Sequence, residues 1–196
     1  DAAARILLGG VFGNSPYLAR LALREQGTLD ACFTMGAQTA VDAACAMALA
    51  VGGLDDEARA MAELRQAKAK AALAIALADI SGEWPLEEVT GALTRFADAA
   101  VKGALRFLLA REAAQGGLAG RLPEALEEST GLIVLAMGKY GAFELNYSSD
   151  IDLVVLYDAA RFPFVKKGDP RGAAVDIVRG LVKLIAERTG GDYVFR

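Results

Sequence analysis

The chain has 196 residues, 54% of them hydrophobic and 23% charged, with 25 acidic against 21 basic side chains for a net charge of −4. That balance suits a folded chain with a sizeable core and argues against disorder, and no concentrated basic stripe marks a nucleic-acid partner. Histidine is absent, which excludes Ser-His-Asp and Cys-His nucleophile systems, histidine zinc sites and an imidazole general base.

The first 120 or so residues read as helix. Asn14-Ser15-Pro16 supplies an N-cap and a proline for the first turn of a short helix over about 16–26. Thr28 opens a longer helix to about Val51, closed by Gly52-Gly53. Its two cysteines, Cys32 and Cys45, have no CxxC spacing and read as small buried hydrophobes of a reducing compartment. Asp42 and the glycine pair interrupt the apolar stretch Ala31–Leu54, which therefore does not read as a membrane span. No secretory leader is evident at the start either, and a cytoplasmic protein is expected. Asp55-Asp56-Glu57 places acids at the head of a third helix to about Asp79, with Leu64, Ala67, Ala71, Ile75 and Ala78 at the helical period and Lys68 and Lys70 on the wet side. Trp84-Pro85 starts a fourth helix to about Gln115, whose apolar face is Val89, Leu93, Phe96, Ala100, Leu105 and Leu108/Leu109. Gly116-Gly117 and Pro123 connect it onward, which divides the chain into a helical segment, 1–122, and an α/β unit, 123–196.

After this connection the texture changes. Gly131 to Met137 is a short branched apolar run that reads as a buried strand, and Ile151 to Tyr157 reads as another. A charged loop leads to an amphipathic helix over about 173–189, with Val175, Val178, Leu181/Val182 and Ile185 on its face. Tyr193-Val194-Phe195 looks like the start of a further strand.

The chemistry concentrates in residues 132–158. Asp150 and Asp152 stand at i and i+2, so a strand would point both to one face. Two acids together on an otherwise aliphatic strand are costly unless a cation lies between them. Hard oxygen donors of this kind suit Mg²⁺, which takes one or two carboxylates, keeps water and completes its shell with phosphate. Solvated acids, or acids paired with Lys or Arg, are the plainer alternative. The flanks favour the metal: Gly138 stands at a turn where backbone N–H groups can approach phosphate, and Lys139 and Ser149 add donors.

Met137-Gly138-Lys139, residues 140–149, then Asp150-Ile151-Asp152-Leu153 resembles the DNA-polymerase-β-like nucleotidyltransferase pattern, with Lys139 departing from the usual Gly or Ser. Met-Gly-Lys-x-Gly followed by Ser-Asp-x-Asp-Leu is similar, more particularly, to the bifunctional glutamine synthetase adenylyltransferase/adenylyl-removing family. The stretch Glu144 to Leu153 resembles its N-terminal, AMP-removing half. Gly13 to Leu18 and Tyr193 to Arg196 also resemble family segments, the latter those just before an Asp-Leu-Arg-Leu-Arg-Pro signature. The resemblance implies an α+β fold: a helical N-terminal bundle followed by a nucleotidyltransferase α/β unit with a small mixed sheet. It also implies Mg²⁺ on Asp150 and Asp152, phosphate contacts from Gly138, Lys139 and Ser149, and phosphorolysis of adenylylated glutamine synthetase to release ADP. ADP or ATP, phosphate and the PII signalling protein are the further partners implied. The alternatives are the adenylylating half, another nucleotidyltransferase, and a non-catalytic nucleotide-sensing module. Beginning at Asp1 without Met and stopping at Arg196, before the third carboxylate that the resemblance places in that signature, the chain reads as a piece of a longer polypeptide, inactive or weakly active alone.

Overall fold

A computed structural model of the chain describes residues 2–119, 130–165, 169–188 and 193–196. The elements are α1 (Ala2–Asn14), α2 (Pro16–Arg24), α3 (Gln26–Met35), α4 (Ala37–Ala50), a 3-10 turn (Val51–Gly53), α5 (Glu57–Ile80), α6 (Leu86–Ala114), β1 (Leu132–Met137), the single turn α7 (Gly138–Gly141), β2 (Asp152–Tyr157) and α8 (Pro170–Ala186). The architecture is α+β, a helical front followed by two antiparallel strands. Leu132 pairs with Tyr157 at one end of the ladder and Met137 with Asp152 at the other. A mixed sheet requires a third strand, and the described residues form two. Pro123 and the 122/123 boundary lie outside the described residues.

Side-chain caps open α2, α5 and α8. The Ser15 hydroxyl accepts from Leu18 N at 3.2 Å with Pro16 in the first turn, and the Asp56 carboxylate accepts from Arg59 N at 2.6 Å. The helix expected over 28–51 is instead two, because Gly36 takes φ 90° and ψ 156°, a conformation closed to residues with a Cβ. The first of these helices begins at Gln26, and Thr28 is buried within it.

Helix α5 is the axle. Leu64, Ala67, Ala71, Ile75 and Ala78 lie in the main core, and Ala69, Leu73 and Leu77 on its other side pack against Val11, Leu21 and Ala22 of α1 and α2. Its expected wet side is largely covered. The Lys68 ammonium lies 4.5 Å from the centre of the Phe195 ring and donates to Val194 O, while Lys70 reaches Glu25 at 3.7 Å. Alanine and glycine let α4 and α6 nearly touch: a Cβ on Gly103 would stand 2.0 Å from Ala48 O.

The main core runs from Ala37 to Phe195 and takes in the inner faces of both strands and of α8. That helix begins at Pro170, capped by Asp169, and ends at Ala186 rather than 189; its buried stripe is Ala174, Ile177, Leu181, Leu184 and Ile185. Val175 and Val182, expected inside, are 39% and 59% exposed. The helix turns its small residues to α6 instead: a Cβ on Gly180 would meet Leu108 Cδ2 at 2.7 Å. Glu57 ties the same elements together, accepting from Arg111 of α6 and, at 2.5 Å, from Lys183 of α8. No helix among the described residues is long and apolar enough to cross a membrane.

Candidate functional site

Strand β1 delivers the chain to Gly138, whose φ of 55° is the left-handed value that glycine adopts most readily. The chain then turns once through α7, where Lys139 is exposed and Tyr140 buried. A Cβ on Gly138 would stand 3.7 Å from Asp152 Oδ2, so the glycine turn and the second acid are neighbours. The Met137–Asp152 pair at the ladder's end sets this approach.

Asp152 is the first residue of β2, but Asp150 precedes the strand rather than belonging to it. The reason is its partner. Ile151 N donates to Arg196 O at 2.9 Å, and Arg196 Nε lies 3.1 Å from Asp150 Oδ1. The segment expected to begin another strand at Tyr193 is not a strand. Val194 and Phe195 N–H groups both donate to Ile185 O, which draws the segment onto the end of α8.

Between the two halves of the site, residues 142–151 are held from below and from the side. Leu145 is fully buried. Asn146 Oδ1 accepts from Ser149 Oγ at 2.9 Å and from Ser148 N at 3.1 Å, and Ser149 Oγ accepts from Asn146 N at 3.0 Å. This closed turn sets the Ser149 hydroxyl directly before Asp150.

Two tyrosines fasten the site to the helical front. Tyr140 Oη donates to Asp98 Oδ1 of α6 at 2.7 Å, and Tyr147 Oη donates to Asp79 Oδ2 of α5 at 2.9 Å. Burial first, and then the hydrogen bond to its aspartate, raises each phenol well above its ordinary value, so both remain donors across the physiological range. Neither pair was singled out in the sequence; the only signal was that each tyrosine interrupts a stretch of site residues. Arg196 was likewise missed as a partner of Asp150. Burial, aided by Glu83 and Asp42 respectively, pushes the Cys32 and Cys45 thiols up to about 11, which disfavours the thiolate form.

Among the described residues no three His, Cys, Asp or Glu side chains gather as a metal group. Asp150, ion-paired with Arg196, and Asp152, beside the Gly138 turn, are both exposed and offer oxygen donors alone. Such a donor set fits a hard divalent ion that fills the rest of its shell with water and phosphate.

A glycine turn beside Asp152, at the end of a hairpin backed by helices, marks this as an α+β chain. The chain belongs to the glutamate-ammonia ligase adenylyltransferase family, whose model matches residues 7–196. It is 45% identical over 193 residues to a protein of Rhodopseudomonas palustris strain HaA2, covering 98% of this chain and 20% of that one. A Bradyrhizobium diazoefficiens protein is also 45% identical over 193 residues, covering 98% and 19%, and one of Caulobacter vibrioides is 41% identical over 189 residues, covering 96% and 19%. All three are named bifunctional glutamine synthetase adenylyltransferase/adenylyl-removing enzyme. The chain spans about a fifth of the length of these relatives.

Proposed function

We infer that this chain carries the AMP-removing site of such an enzyme, acting in the cytoplasm on adenylylated glutamine synthetase under the control of the PII signalling protein. In this reaction a phosphate oxygen attacks the phosphorus of the attached AMP, the bond from that phosphorus to the synthetase breaks, and ADP leaves. The observation that carries the reading is the approach of the Gly138 turn to Asp152, together with the likeness of residues 144–153 to the AMP-removing half.

In this site Asp150 and Asp152 would hold Mg²⁺, which supplies charge neutralisation at the transferring phosphoryl group. Gly138 leaves its backbone open to close approach by phosphate. Lys139, exposed on the turn, offers a mobile cation to phosphate oxygens, and the Ser149 hydroxyl, held by Asn146, offers a donor in a fixed place. Arg196, on Asp150, is a further cation at the edge of the site. Positioning and charge stabilisation are what phosphoryl transfer asks of a protein, and no histidine is needed for either.

The test incubates the full-length polypeptide with adenylylated glutamine synthetase, phosphate and Mg²⁺ and measures ADP release. ADP that appears with phosphate and stops with chelator supports the reading. Transfer of AMP from ATP to unmodified synthetase, abolished by Asp152→Asn, would assign these residues to the adenylylating reaction instead.

A further inference from the structure

Asp150 already has a cation. Arg196 Nε lies 3.1 Å from Asp150 Oδ1, with the two side chains 57% and 59% exposed. No ion pair joins Asp152 to another described residue, and its neighbour is the Gly138 turn. The two acids of the candidate site are therefore unequal: a guanidinium neutralises the first and leaves the second without a counter-charge.

The placing of Arg196 does not depend on that ion pair. Its carbonyl accepts from Ile151 N at 2.9 Å, and the Val194 and Phe195 N–H groups donate to Ile185 O at 3.0 and 3.1 Å. These are backbone bonds, so the residue stays beside Asp150 whichever way its side chain points. The side chain also has a second seat: its guanidinium carbon is 5.6 Å from the centre of the Tyr193 ring, within reach of a cation–π contact. An ion pair as exposed as this one is weak, worth a few-fold in an equilibrium. A divalent ion can therefore displace the guanidinium from Asp150, but it has to compete with it.

We propose that Arg196 is a positioning residue that acts as a stand-in cation: it holds Asp150 while no divalent ion is bound and yields the carboxylate when one arrives. Before that exchange it offsets the repulsion between Asp150 and Asp152, two like charges one residue apart. During the exchange its own positive charge opposes the incoming one, so the guanidinium lowers the affinity of the site for metal. An arginine that merely braced Asp150 would have the opposite effect, because its loss would weaken metal binding. The proposal rests on the metal-holding role given to Asp150 above.

Mn²⁺ alone is the probe, since carboxylate and water donors suit it as they suit Mg²⁺. Its binding to the full-length polypeptide is followed by the electron paramagnetic resonance of the free ion, and the binding lost in Asp150→Asn belongs to this site. Arg196→Gln should tighten that binding by about two- to fivefold, while Arg196→Lys, which keeps the charge, should stay close to the parent. Melting curves check that each variant folds. A second readout needs no variant at Arg196. Phenylglyoxal labelling of arginine in the unmodified polypeptide, read peptide by peptide by mass spectrometry, should mark Arg196 faster once Mn²⁺ has released it from Asp150. Equal or weaker Mn²⁺ binding in folded Arg196→Gln, or Arg196 labelling that does not respond to the metal, overturns the stand-in role and leaves the metal site in place. Mn²⁺ binding that Asp150→Asn leaves unchanged sinks the metal-holding reading, and the stand-in role with it.

Discussion

The helical front and the strand hairpin are built to opposite specifications. Around α4, α5 and α6, alanine and glycine bring backbones almost into contact, and Leu64, Leu73, Ile75 and Phe107 are fully buried. The hairpin has one covered face. Val134, Ala136, Leu153 and Val155 turn inward, while Ile133, Leu135, Val154 and Leu156 on the outer face are each at least 41% exposed. A two-stranded hairpin is marginal by itself, so the packed front supplies rigidity and the open hairpin carries the candidate site residues Gly138 and Asp152 at its end. The tyrosine–aspartate bonds and the shared core are where one region supports the other.

The largest effect should come from breaking the chemistry while leaving both regions folded. Asp150→Asn or Asp152→Asn in the full-length polypeptide should lower ADP release by about 10²-fold or more, with an unchanged melting temperature. A variant of either kind with near-normal activity would remove the metal-holding role.

Next comes the packing contrast itself. Phe107→Ala should destabilise the chain by about 3–5 kcal/mol, whereas Leu156→Ser, on the outer face, should stay within about 0.5 kcal/mol of the parent. Denaturant unfolding of the two variants measures the difference. Equal losses would mean that the outer face is as well packed as the core.

A smaller effect tests the link between regions. Tyr147→Phe removes one hydrogen bond, worth about 1 kcal/mol of stability, yet the shifted 146–149 turn should reduce the turnover rate by up to about 10²-fold. If the turnover rate falls only in proportion to the unfolded fraction, Tyr147 merely stabilises the fold and does not position the site.

The smallest effect concerns Glu57. Hydrogen bonds from Lys183 and then Arg111 hold its carboxyl below the usual 4.5. A carboxyl that binds its proton more weakly when folded stabilises the native state above pH 4.5, and that stabilisation is lost as the pH falls through the depressed value. Glu57→Gln should therefore lower the melting temperature modestly at pH 7. The gap to the parent should close in acid below pH 4.5, and a gap that persists there would point to packing rather than charge.

Elements whose signals are local were legible in advance. Ser15-Pro16 and Asp56 mark helix starts through their own capping bonds, and the runs 132–137 and 152–157 carry branched residues bounded by turns. Asp169-Pro170 was the same kind of signal, and the start at 173 overlooked it. The glycine turn and the Asp-x-Asp were equally plain, because few arrangements tolerate two acids beside an aliphatic strand.

What depends on distant parts of the chain had to wait for the tertiary structure. Whether Gly36 breaks a helix depends on what lies on either side of it, and periodicity alone reads straight through. Val175 and Val182 fit the apolar face of an isolated helix as well as Ala174 and Ile177 do, until Leu108 meets Gly180 and fixes the rotation. Asp79 with Tyr147, Asp98 with Tyr140 and Arg196 with Asp150 are pairs of residues remote in sequence. A sequence shows the types of side chain available for such bonds, but which ones meet is settled by packing, whose energy is shared over the whole core.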